Sequence, residues 1–136
     1  MTQEQRDRFD ALMQDVLDGL GEKIDGLLEE IAVVVLDEPD PQMLRDLGID
    51  PGDQEALDEL CGLHTGTSLT ERSVEHSADL PTTIHLFRRG IVSLAGGWEQ
   101  PGADDEIYEE IRITLLHEIG HHYGLDEDDL EELGYD

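Results

Sequence analysis

Over the first twenty residues the apolar positions Phe9, Leu12, Met13, Val16, Leu17 and Leu20 recur at spacings of three and four. That period predicts an amphipathic helix from Thr2 to about Leu20, with Thr2 as N-cap and Gly19 and Gly21 ending it. The pattern then changes. Ile31 to Leu36 is continuous and β-branched, and Pro39 and Pro41 stop it, which predicts a short buried strand. Pro41 to Leu47 predicts a short helix closed by Gly48. Residues 50–59, with Pro51, Gly52 and several acids, predict a loop or a single turn. Leu60 to Leu69 mixes strand formers with glycines, and so predicts a second, irregular strand, followed by a polar loop over 70–80. Beyond Pro81, the residues Ile84, Leu86 and Ile91 predict another strand, or a hairpin turning at Gly90. Residues 96–105 are turn-rich. The strongest period comes last: Ile107, Ile111, Leu115 and Ile119 recur every four residues, so a helix runs from about Ala103 to Tyr123. Asp104, Asp105 and Glu106 suit its N-terminus, and Gly124 stops it. A final turn, Asp128 to Leu133, packs Leu130 and Leu133. This order describes a small α+β or α/β domain without repeats. At 136 residues it is expected to be a single domain, 1–136.

Charge narrows the functional classes. Thirty-five acidic residues against eight basic ones leave a net charge of −27. Such a chain has no basic patch to displace counterions, which excludes sequence-independent binding to nucleic acid. The same charge disfavours docking on anionic lipid. One cysteine, Cys61, excludes an internal disulfide framework and is expected to be a small buried hydrophobe. The first residues, MTQEQRDRFD, lack an apolar h-region. The longest apolar run, Ile31–Leu36, is six residues, far short of the ~20 that cross a bilayer. The expectation is a cytoplasmic monomer that contacts neither membrane nor nucleic acid.

One stretch carries chemistry: His117-Glu118-Ile119-Gly120-His121, followed by Gly124 and by Asp126 and Glu127. His117 and His121 are four apart, so on a helix both imidazoles lie on one face, one turn apart, where they can reach a single Zn²⁺. Glu118 sits beside that face, placed to accept a proton from a metal-bound water without being a ligand. Chance would produce HExxH in a chain of this composition only about 0.03 times, and about 0.001 times with the following glycine and third ligand included. Gly124 has its own reason. A third ligand six residues after His121 lies on another face unless the helix breaks, and glycine makes the left-handed break without strain. Glu127 then stands where the longer metzincin pattern has its third ligand, with Asp126 as close competitor.

Several blocks resemble the small bacterial zincin-like metallopeptidases: VVVLDEPD (33–40), GLHTGTSLTERS (62–73), LPTTIHLFRRG (80–90) and LLHEIGHHYGLDEDDLEELGY (115–135). The resemblance implies an α+β, minimal zincin-like fold: a small mixed β-sheet of about four strands, an N-terminal helix and an active-site helix carrying HExxH. The family usually has Asp where Glu127 stands, so this chain's carboxylate is one methylene longer. No methionine follows His121, so the Met-turn of the full metzincins is missing. The resemblance also implies a structural ion-pair role for Glu71 and Arg72.

The functional expectation is a zinc-dependent peptidase. Zn²⁺ is held by His117, His121 and Glu127, and a metal-bound water is deprotonated by Glu118. Its substrate would be a neutral or basic peptide or protein, since an acidic one is repelled. It would add as a strand beside an edge in the 60s or 80s region. The alternative is a metal-binding or peptide-interaction module with little turnover. His64, His76, His85 and His122 are expected to be structural or surface residues, and Tyr123 and Tyr135 to pack.

Overall fold

The computed structural model describes residues 1–29, 31–65, 82–125 and 128–129. Helix α1 (Gln3–Gly19) starts with a full capping box. The Thr2 hydroxyl accepts from the Gln5 amide at 3.1 Å, and the Gln5 side chain accepts from the Thr2 amide at 3.0 Å. A short α2 (Glu22–Leu28) follows. Next come β1 (Ile31–Leu36), α3 (Pro41–Asp46) and α4 (Gln54–Glu59). The chain continues through β2 (Gly62–Thr65), β3 (Thr82–Phe87), α5 (Arg88–Ala95) and the long α6 (Ala103–Tyr123).

The strands form a mixed sheet in the order β1-β3-β2. β1 runs parallel to β3, with Ile31 opposite Thr82, and β2 runs antiparallel to it, with Gly62 opposite Leu86. The described residues therefore hold three strands where the family resemblance implies about four. β3 is paired on both sides, so the 80s segment is central and cannot supply an edge. Among the described residues β1 pairs only with β3, and one of its faces is open: Ala32 and Val34 are exposed while Ile31 is buried, which corrects its reading as a buried strand.

One cluster makes the core. Phe9, Met13 and Val16 of α1 meet Ile84 and Leu86 of β3, Ile91 and Val92 of α5, and Ile107, Ile111, Leu115 and Ile119 of α6. Burying side chains of this size contributes about 1.5–3 kcal/mol each. Phe87, next along β3 and so on the opposite face of the pleat, is buried outside that cluster, as are Leu44 of α3 and Leu57 of α4.

Three helices differ from the sequence expectation. α2 stands where the sequence predicts only the turn ending α1; its N-cap is Gly21, which offers no side-chain cap. α4 replaces the expected loop, its N-terminus capped by Asp53, which accepts from the Ala56 amide at 3.1 Å. α5 replaces the expected strand or hairpin at Gly90. That glycine makes no turn; a Cβ there would stand 2.0 Å from the Leu60 carbonyl oxygen, so glycine lets α5 lie against the chain entering β2.

Candidate metal centre

Helix α6 builds the site. Its apolar stripe is fully buried, Asp104, Asp105 and Glu106 occupy the first turn, and Gly124 ends it at φ 67°. The Leu125 amide donates to the Gly120 carbonyl at 2.8 Å and the Gly124 amide to His121 at 3.4 Å. Those paired bonds are the Schellman ending that turns a chain sharply at a left-handed glycine. The break expected from the sequence is therefore present at Gly124.

His117 and His121 lie at the last turns before it. Both are exposed, and their rings stand 4.4 Å apart, centroid to centroid, at an interplanar angle of 53°. Glu118 is about 100° around the helix from His117 and about 60° from His121. That turn carries it to the margin of the buried face, and it is 8% exposed. Burial pushes its carboxyl above the usual carboxylate range, while His121 and His117 pull against that shift. No arginine or lysine among the described residues forms an ion pair with it. Its side chain lies against β2: a Cβ on Gly62 would be 3.2 Å from Glu118 Cγ and 3.3 Å from Oε1.

The donor set suits zinc. Two imidazoles open to solvent on one helix face, with Asp126 and Glu127 following in the sequence, are donors of the nitrogen and oxygen types that zinc accepts. Among the described residues no three potential ligands gather at one place. The candidates for the third, Glu127 and Asp126, lie outside the described residues, as do His76, Glu71, Arg72 and Tyr135.

The remaining sequence candidates fall elsewhere. His122 is buried, its ring edge-on to Tyr123 at 4.6 Å, which makes it a packing residue. The Tyr123 hydroxyl donates to the Leu27 carbonyl at 2.6 Å, fastening the end of α6 to α2. His85 lies in the central strand, its ring stacked on Phe87 at 6.4 Å. Burial holds it below the usual imidazole range, with Asp40 opposing. Cys61 is half-buried, and burial, with Glu110 adding to it and a hydrogen bond from Thr114 opposing, pushes the thiol up to about 11. That thiol is no nucleophile at neutral pH. Gly62 reads in the sequence only as an irregularity. Its signal is a glycine among strand formers, which marks a place where another group approaches closely.

No helix among the described residues is long and apolar enough to cross a membrane. No curated protein matches the chain. The model of one family, described as zincin-like metallopeptidase, matches residues 28–135, a stretch that spans the whole sheet and all of α6. With that match over most of its length, and with a helix that sets two exposed histidines beside a buried glutamate, the chain belongs to the zincin-like metallopeptidase family.

Proposed function

We propose that this protein is a zinc-dependent peptidase in which His117 and His121 hold the metal, a carboxylate of the turn after Gly124 completes the site, and Glu118 is the general base. The observation that supports this most is the juxtaposition on α6 of two solvent-facing imidazoles, 4.4 Å apart, with a carboxylate that is buried and has no arginine or lysine partner among the described residues. Zinc, when bound, supplies Lewis acidity toward the scissile carbonyl and lowers the pKa of water. The chain supplies the rest.

Glu118 takes a proton from the attacking water onto a carboxylate oxygen and later gives it to the leaving amine nitrogen. A carboxyl raised by burial serves both transfers, because it binds a proton more firmly than an exposed one yet still releases it. The Schellman ending stops α6 at Gly124 in the left-handed conformation, the kind of break that a third ligand six residues after His121 requires. A peptide would lie as an added strand beside β2, the strand against which Glu118 rests and which among the described residues pairs only with β3. Neutral or basic peptides are favoured over acidic ones by the charge of −27.

The test is hydrolysis of neutral and basic peptides by zinc-loaded protein, with and without chelator. Chelation should abolish cleavage and added zinc restore it. Glu118→Gln should keep its zinc and lose about 10²- to 10⁴-fold in kcat. Zinc binding without chelator-sensitive cleavage would instead assign the protein to the binding modules.

A further inference from the structure

We propose that Gly62 is the positioning residue for Glu118: its bare Cα on β2 is the seat against which the carboxylate rests, and that seat fixes the direction from which the base meets water. The inference rests on Glu118 being the base of the proposed hydrolase.

Nothing in the backbone demands glycine here. The described glycines with positive φ are Gly48, Gly96, Gly97, Gly102 and Gly124, so the conformation of Gly62 is open to any residue. Inside a strand a glycine costs about 0.5–1 kcal/mol relative to alanine. The requirement is space. A Cβ at this position would stand 3.0 Å from Thr114 Cγ2, 3.2 Å from Glu118 Cγ and 3.3 Å from Glu118 Oε1. The two carbon contacts are shorter than the ~3.5–4.0 Å of an ordinary carbon pair.

Which partner yields decides the consequence. β2 cannot retreat easily, because Gly62 is paired with the fully buried Leu86 and the preceding Cys61 carbonyl accepts from the Phe87 amide at 2.8 Å. Thr114 is buried, and its side chain is held by a hydrogen bond to the Cys61 thiol. Glu118 has three side-chain torsions and one solvent-facing margin, so it is the group that moves. A methyl on residue 62 therefore swings the carboxylate, while His117 and His121, which face solvent, stay where they are.

The experiment uses zinc-loaded protein with ¹³C-labelled glutamate, the Glu118 carboxyl resonance being assigned by its loss in Glu118→Gln. Gly62→Ala should displace that resonance and keep one zinc, with affinity changed by less than the roughly tenfold that disturbing a ligand's support costs. It should lower kcat by roughly 10- to 100-fold, as small misplacements of a catalytic group do, with KM nearly unchanged. Gly62→Ala/Thr114→Ser removes the methyl nearest the new Cβ. It should recover the lost thermal stability but neither kcat nor the resonance, and it carries the same comparison if the single variant does not fold. A wild-type resonance in Gly62→Ala, or recovery of both kcat and resonance in the double variant, would overturn the proposal. If the wild-type protein cleaves no peptide, the peptidase reading fails, and the resonance alone still decides whether Gly62 seats Glu118.

Discussion

Asp37 and Glu118 are both carboxylates drawn away from water, and their surroundings push them in opposite directions. Asp37, just past β1, meets Arg6 of α1 at 2.7 Å and Arg88 of α5 at 3.0 Å, and Arg88 also reaches Asp10 at 2.8 Å. The hydrogen bond from Arg6, with Arg88 adding to it, holds the Asp37 carboxyl below the usual range despite partial burial. The neighbouring Arg89 is divided between Asp58 at 2.8 Å and Glu38 at 2.9 Å. At the other place, α6 buries Glu118 against Gly62 without any such cation among the described residues. In a chain with eight basic residues, Arg6, Arg88 and Arg89 serve the knot where α1, β1, α4 and α5 meet. Paired charges hold elements together. A buried carboxylate beside two exposed imidazoles, with no arginine or lysine paired to it among the described residues, is perturbed by desolvation, the pattern that marks a candidate functional site.

The contrast can be broken by separating stability from metal binding. The largest effect is expected at the turn after Gly124. Glu127→Ala should weaken zinc by more than about 100-fold, beyond what loss of a supporting contact costs, while Asp126→Ala should cost about 1 kcal/mol as a lost cap. A zinc titration with the reverse pattern would assign the ligand to Asp126. Next is Arg88→Ala, which strips the charge-assisted bonds from Asp10 and one of two partners from Asp37. A loss of about 2 kcal/mol in denaturant unfolding is expected, with zinc affinity unchanged; a change in zinc affinity would join the two regions that the account keeps apart.

Gly124→Ala should cost about 1–2 kcal/mol, because an L residue is strained at φ 67°, and thermal unfolding measures this. The smallest effect is in pH. The depressed carboxyl of Asp37 contributes stability that is present above its unfolded value near 4 and is lost as pH falls through the lower folded value. Glu118, raised by burial, has the opposite sign in the metal-free protein: its contribution is present in acid and is lost as pH rises through the folded value. Asp37→Asn should therefore destabilise at neutral pH, and Glu118→Gln should not. Equal losses in both variants would erase the contrast.

Much of this is legible in the sequence. The spacing of Ile107, Ile111, Leu115 and Ile119 predicts α6, and the HExxH within that period puts His117, His121 and Glu118 on the helix by its spacing alone. Thr2, Gly48 and Gly124 act as the caps and stops that their types suggest. What the sequence hides is tertiary. Gly90 and Gly62 carry no local meaning, since one lies against the Leu60 backbone and the other against Thr114 and Glu118. The apolar run of β1 reads as buried on both faces because sequence does not show that the face carrying Ala32 and Val34 is left open. α4 is readable in part: Asp53 three residues before Ala56 is a capping signal, hidden by Pro51 and Gly52 before it.

The most direct measurement is elemental analysis of purified wild-type, His117→Ala, His121→Ala and Glu118→Gln proteins under identical loading. One zinc per chain is expected in the wild type and in Glu118→Gln, and loss of the metal in both histidine variants while each stays folded. A full equivalent of zinc retained by either histidine variant would contradict that expectation.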